Sequence, residues 1–289
     1  MCKTRGLSDE FICALLSGEL RPFLDTVCSD DSLCIEIRDN YLNIYYRGGN
    51  IYRIKHSRKG YFIKFAHSYF GMTSFDFPQA YDLAGWHTRL EKLKKGMDGW
   101  FVMHPKSERE TQQKITVSNA SKPADYIIAD IEYTAPEQHF RFDMVGVNLC
   151  GKPRLSLFEL KQGDSSVAGK AGITKHLEDV SRAVCNPSLY NTLLGEIQKI
   201  SEQKQTLGLL PTIENTEFMS QQKPEFIFLL RGHNPKSQVP DRELRKVIES
   251  VKYLELKASC DVKISFMADD AYTLYASNMQ SLEDYIRGH

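Results

Sequence analysis

In the stretch RLSLFELKQG a two-residue period places Leu155, Leu157, Glu159 and Lys161 on one side of an extended strand. A carboxylate and an ammonium at that spacing project side by side from one surface. The pair follows an apolar run and precedes Gly163, where a core strand would emerge into a cleft. In the preceding run, HFRFDMVGV, Asp143 lies among apolar residues. A carboxylate there must be paired or coordinate something, because an unpaired buried charge is expensive. Two carboxylates are hard oxygen donors of the kind that hold magnesium while it keeps several of its waters. A lysine beside them can orient or help deprotonate a water and offset negative charge on a substrate. The plainer alternative is a surface ion pair between Glu159 and Lys161 on an edge strand, with Asp143 in another pair.

The elements that would position these residues can be read from the change of period along the chain. Ser8 is placed to cap a helix through DEFICALL, and a second short helix runs up to Val27. The runs LCIEIR, YLNIYYR, NIYRIKH and YFIKFAH are β-branched and aromatic, separated by Asp39-Asn40, Gly48-Gly49 and Lys59-Gly60. Such dipeptides are hairpin turns, so these runs predict a four-stranded antiparallel meander. A helix is expected from Phe77 to Lys95 and another after Pro105, with Ser107 as its cap. Three strands follow (DYIIADIEYT, HFRFDMVGV and RLSLFELK), then a helical region from Gly169 to Leu207 with a break at Asn186-Pro187. The strand EFIFLLRG, a helix from Asp241 to Lys257, the strand DVKISFM and a short terminal helix close the chain. This order predicts a small N-terminal domain over 1–76, helices plus meander, and a mixed α/β (α+β) domain over 77–289.

Asp143 followed sixteen residues later by Glu159-Leu160-Lys161 resembles the motif of the PD-(D/E)XK nuclease superfamily. The order α-β-β-β-α-β also matches the core of that superfamily, the restriction-endonuclease-like fold with a mixed sheet. The resemblance covers 107–232 and leaves the meander unexplained; it departs at Phe142, where the motif has proline. It implies a hydrolase that cuts phosphodiester bonds with Mg²⁺, for which Mn²⁺ would substitute. Asp143 and Glu159 would be metal ligands, with the Leu160 carbonyl a third by analogy, and Lys161 would act on the attacking water. The implied partner is nucleic acid, DNA in preference to RNA, with a role in defence or repair resting on analogy of fold alone.

Further residues surround this motif. Many members of the superfamily carry an acid on the helix before the sheet, and Glu110 is the position chosen here. Ser107 and Glu110 equally fit the S-x-x-E capping box. Glu132 and Asp130 share a face with Ile128 by alternation, and Glu132 is a candidate extra metal ligand. Gln162 follows the triplet and is a candidate nucleic-acid contact, although an ideal strand points it to the other face. Lys170, Lys175 and Arg182 come close behind, and Lys175 and Arg182 share a helix face, suiting phosphate contact. His176 reads as a structural or surface histidine. In the meander no acid occurs between Tyr41 and Phe70, whereas Arg47, Arg53, Lys55, Arg58, Lys59 and Lys64 all do. Tyr45, Tyr46, Tyr52, Tyr61 and Phe62 there could stack on bases, or pack the sheet's own core.

Composition sets the outer bounds. Lys plus Arg and Asp plus Glu both number 37, so any nucleic-acid contact must come from a local patch rather than from net charge. No apolar run is long enough for a membrane span, and no apolar run follows the basic N-terminus as in a secretory signal. The seven cysteines lack zinc-ligand spacing, and reduced thiols in the cytoplasm are the simplest reading. No phosphate-binding G-x-x-x-x-G-K-[ST] loop appears, so no nucleotide requirement is expected. A homo-oligomer is left open. The rival readings are a catalytically inactive nuclease fold that binds nucleic acid or protein, and an interaction protein that uses the meander.

Overall fold

A computed structural model describes residues 5–64, 69, 85–135, 139–168, 172–214 and 216–288. The chain divides into two compact units, one of residues 1–113 with 199–210 and the other of 114–198 with 211–289. The expected boundary between 76 and 77, and the first part of the helix expected from Phe77, lie outside the described residues.

In the first unit, α1 (Asp9–Leu16) begins at Ser8, whose hydroxyl accepts from the Phe11 N–H, and α2 (Arg21–Cys28) follows with Pro22 in its first turn. The strands β1 (Leu33–Ile37), β2 (Tyr41–Tyr46), β3 (Gly49–Ser57) and β4 (Gly60–Lys64) form an antiparallel sheet in sequence order. Its second turn is Arg47-Gly48, both with positive φ, one residue earlier than expected. Phe11, Phe23, Leu42, Ile44 and Ile54 are buried in this unit's core. Its helix α3 (Trp86–Met103) buries Leu90, Leu93, Met97 and Phe101 along one stripe. A buried ion pair joins Glu36 to Lys204 at 2.9 Å.

The helix α4 (Ser107–Ser121) leads into the second unit. Its six-stranded sheet is built from β5 (Tyr126–Ala135), β6 (Phe140–Asn148), β7 (Arg154–Gln162), β8 (Glu225–Arg231), β9 (Asp261–Met267) and β10 (Gln280–Ser281). Spatial order is β10-β9-β8-β7-β6-β5, antiparallel across β5-β6-β7 and parallel across β7-β8-β9. Between β7 and β8 the chain passes through α5 (Asp164–Val167), α6 (Ile173–Val184) and α7 (Pro187–Thr206). The break between α6 and α7 is at Asn186-Pro187 as expected, with the Asn186 side chain accepting from the Ser188 and Leu189 N–H groups. The helix expected from Asp241 to Lys257 is two, α8 (Val239–Glu249) and α9 (Val251–Leu256). Ser250 is extended between them and caps the second. The chain ends in α10 (Leu282–Gly288). The architecture is therefore mixed α/β, with a small antiparallel sheet in one unit and a larger mixed sheet in the other.

Among the described residues no helix is long and apolar enough to cross a membrane. Cys13, Cys28, Cys34, Cys150, Cys185 and Cys260 are free thiols.

Candidate functional site

Register determines which residues meet on the larger sheet. Val145 pairs with Leu157, so one alternation further on Asp143 and Glu159 lie opposite each other on the same face, followed by Lys161. Across β5, Ile131 pairs with Met144 and Tyr133 with Phe142, which puts Glu132 opposite Asp143. Asp130 pairs with Val145 and shares this face. Ile128 does not. A bulge at Ala129 shifts the register, so Ile128 pairs with Gly146 on the opposite face, and the expected alternation through Ile128 is corrected. Four carboxylates (Asp130, Glu132, Asp143 and Glu159) thus share one face with Lys161. Asp130, Asp143, Glu159 and Lys161 are buried.

The two central strands part at this point. The β6–β7 ladder ends at the Met144–Phe158 pair, and beyond it the Asp143 Oδ2 accepts the Leu160 N–H at 2.9 Å. A side-chain carboxylate has taken the place of a ladder carbonyl. The Arg141 guanidinium stands 3.8 Å from the Asp143 Oδ1. Glu159 Oε1 receives two groups, the Lys161 Nζ at 2.7 Å and the His176 Nε2 at 2.9 Å, and those two nitrogens are 3.1 Å apart. Burial pushes the Glu159 carboxyl up, but His176 and Lys161 outweigh it and hold the group below the ordinary carboxylate value. On α6, burial raises the Asp179 carboxyl against the opposing pull of His176 and of the Arg141 N–H.

His176, expected as a structural or surface histidine, is a largely buried one held against Glu159. Ile173, Leu177, Val180 and Val184 form the buried stripe of α6, and His176 lies on its edge, three residues after Ile173. That position turns the ring to Glu159, with its Nδ1 buried and without a hydrogen-bond partner among the described residues. The signal was a polar residue on an otherwise apolar stripe.

Other expected site residues are not brought together. Glu110 belongs to the first unit, where it lies 3.7 Å from Arg47. The Glu110 N–H bonds to the Lys106 carbonyl, so Ser107 is already the first helical residue rather than the cap. Gln162, paired with Arg231, lies on the face opposite Lys161. Arg182 donates to the His139 carbonyl and pairs with Asp179, while Lys175 is exposed on α6. Lys170 lies outside the described residues. In the meander, Tyr45, Tyr52 and Tyr61 are buried, and the Tyr46 hydroxyl donates to Asp98. Arg53 and Lys55 stand over the Tyr41 ring, each 4.9 Å from its centroid, and Lys64 stands over Phe62.

Among the described residues no three His, Cys, Asp or Glu side chains are grouped to hold a metal ion. Magnesium needs fewer, since one or two carboxylates with retained water suffice. Asp143 and Glu159 meet that requirement in donor chemistry, both being carboxylates on facing strands, and Leu160 follows Glu159 directly in the chain. Holding a dication through Glu159 Oε1 would displace Lys161 and His176 from that oxygen; holding it through Oε2 would not. No family model, no curated protein and no solved structure matches this chain.

Proposed function

We propose that the chain is a metal-dependent nuclease of the PD-(D/E)XK type, hydrolysing phosphodiester bonds of nucleic acid, DNA in preference to RNA. The observation that carries this reading is the pair of buried carboxylates, Asp143 and Glu159, facing each other where β6 and β7 part. Lys161 stands against the second of them. The succession α4-β5-β6-β7-α6-β8, with β7 parallel to β8, supports the restriction-endonuclease-like core behind it.

In this reading Asp143, Glu159 and the Leu160 carbonyl hold Mg²⁺, or Mn²⁺ in its place. When bound, such a cation neutralises charge developing on the phosphate and favours a nucleophilic water. Lys161 orients that water and stabilises negative charge on the phosphoryl oxygens. The buried face restricts solvent and strengthens each of these interactions. His176 holds Glu159 in place through its Nε2, and Glu132, opposite Asp143, is an accessory acid.

A second reading has its own support. Glu159 Oε1 is already engaged by both Lys161 and His176, as expected of a closed ion cluster in a nuclease fold that binds without cutting.

Cleavage of plasmid, linear and single-stranded DNA and of RNA with Mg²⁺, Mn²⁺ or EDTA separates the two. Metal-dependent cutting that is absent from folded Asp143→Ala and Lys161→Ala variants is the expected result. Folded wild type that neither cuts any substrate nor binds Mn²⁺ in calorimetry would leave the second reading.

A further inference from the structure

A cleft of about 460 Å³ opens at the carboxyl ends of β8 and β9, its wall including Leu230, His233, Pro240, Asp241, Phe266 and Tyr285. Crevices outside the carboxyl ends of parallel strands are where open α/β sheets bind ligands. None of the residues assigned above to metal or to cleavage lines it.

The polar side of the cleft is organised around His233. Its side chain is 6% exposed, and its Nδ1 lies 2.9 Å from Asp164 Oδ1. Asp164 also accepts from the Ser237 hydroxyl and the Asn234 N–H, so three donors converge on one carboxylate. A carboxylate only accepts, so Nδ1 carries a proton toward Asp164. Nε2 is buried and has no hydrogen-bond partner among the described residues. The neighbouring Asp241 carboxylate accepts from the Tyr285 hydroxyl at 2.6 Å, and Asp269 adds a second acidic wall group.

The apolar side is an aromatic shelf. Phe266 is 47% exposed near the end of β9, beyond the two residues that β10 covers. Its ring lies 5.4 Å from Tyr285 at an interplanar angle of 35°, and His233 meets it edge-on at 6.4 Å. An open aromatic face beside acceptors suits a planar ligand that carries N–H donors. The two carboxylates disfavour a phosphate in the same place.

We infer that this cleft binds a nucleobase, which stacks on Phe266 beside the edge-on His233 ring and donates its amino N–H to the Asp241 carboxylate. The inference does not depend on the metal reading. Together with that reading, it assigns the cleft to recognition of a base rather than to cutting.

The test is titration of the full chain with adenosine, cytidine, guanosine and thymidine in EDTA, followed by calorimetry and by the His233 ring resonances in NMR. At least one nucleoside should bind and shift the His233 signals. Phe266→Ala, which removes an exposed ring and leaves the strand, should weaken that binding about tenfold or more, as loss of a base–aromatic stack does. Asp241→Asn, which removes the charged acceptor and keeps an oxygen for the Tyr285 hydroxyl, should weaken it as well. Folded wild type that binds no nucleoside, or binding unchanged in both variants, overturns the inference. So does binding of spermidine at the cleft without any nucleoside, which would make it a cation site. Because EDTA is present throughout, failure here leaves the metal-dependent cleavage reading untouched.

Discussion

Replacing Asp143 by asparagine separates the fold from the proposed chemistry. Oδ2 of Asp143 accepts the Leu160 N–H at 2.9 Å, a donor beyond the last β6–β7 ladder pair, and the residue is 1% exposed. Alanine takes that acceptor away from a buried donor, at a cost of about 1–3 kcal/mol. Asparagine keeps an oxygen for the same N–H and removes one negative charge from a face that also carries Asp130, Glu132 and Glu159. Its stability should therefore stay within about 1 kcal/mol of wild type. A kcal/mol shifts the midpoint of a domain of this size by roughly 2–4 °C. Thermal unfolding followed by circular dichroism should then show alanine several degrees lower and asparagine close to wild type. Mn²⁺ affinity, read by calorimetry, should fall about tenfold or more in both, since an amide oxygen is a far weaker ligand than a carboxylate. An asparagine variant that melts as low as alanine while Mn²⁺ affinity is unchanged would refute the reasoning and make Asp143 a structural acid.

Three further outcomes follow from the same geometry. Lys161→Met should abolish cleavage yet leave Mn²⁺ affinity equal or higher, because it removes one of the two groups held against Glu159 Oε1; a tenfold loss of affinity in calorimetry would show that the lysine only props the site. Gly146→Ala should destabilise by at least about 2 kcal/mol in denaturant titration, since an added Cβ would stand 2.2 Å from the Ile127 carbonyl oxygen; a stable variant would mean that the β5–β6 approach is looser than described. In the first unit, Lys204→Met should cost about 3 kcal/mol by taking the nearer of two cations from the buried Glu36, with Arg38 left 3.7 Å from it, and Lys204→Met with Glu36→Leu should recover at least half of that; equal losses in single and double variants would deny the coupling.

Strand identity was legible in the sequence for β5 to β9, which are runs of β-branched and aromatic residues, and DVKISFM matches β9 residue for residue, whereas the two-residue β10 carries no such signal. The facing of Asp143, Glu159 and Lys161 followed from a two-residue period and two adjacent strands. His176 was not legible, because a histidine fifteen residues after Lys161 acquires meaning only once α6 is laid against β6 and β7. The ion pair of Glu110 with Arg47 was hidden for a related reason. A helix can precede a sheet in sequence while its first turn packs elsewhere, and Arg47, distant along the chain, supplies the ion pair that places this acid in the first unit. The division of the helix after β8 turned on Ser250, a capping residue inside a run that otherwise reads as helix.

The bulge at Ala129 shows how one strand serves two environments. Under unbroken alternation Tyr126, Ile128, Asp130 and Glu132 would all share a face. The extra residue turns the first half over, so that Tyr126 pairs with Asn148 and its hydroxyl accepts from the Asn148 amide at 3.2 Å. Asn148 also donates to Glu225, which is fully buried and joined by Arg154, Ser156 and Lys263, a network whose donors and acceptors answer one another. That is the pattern of a structural polar cluster, satisfied on every side. Beyond the bulge, Asp130 and Glu132 turn to the other face, beside Asp143 and Glu159, where Arg141, Lys161 and His176 stand against the carboxylates and where Glu132 is held at φ 51°, a left-handed conformation costly for a side chain of its size. In the proposed reading, carboxylates and strained backbone at the point where two strands part are the features that would receive a cation and an anionic substrate.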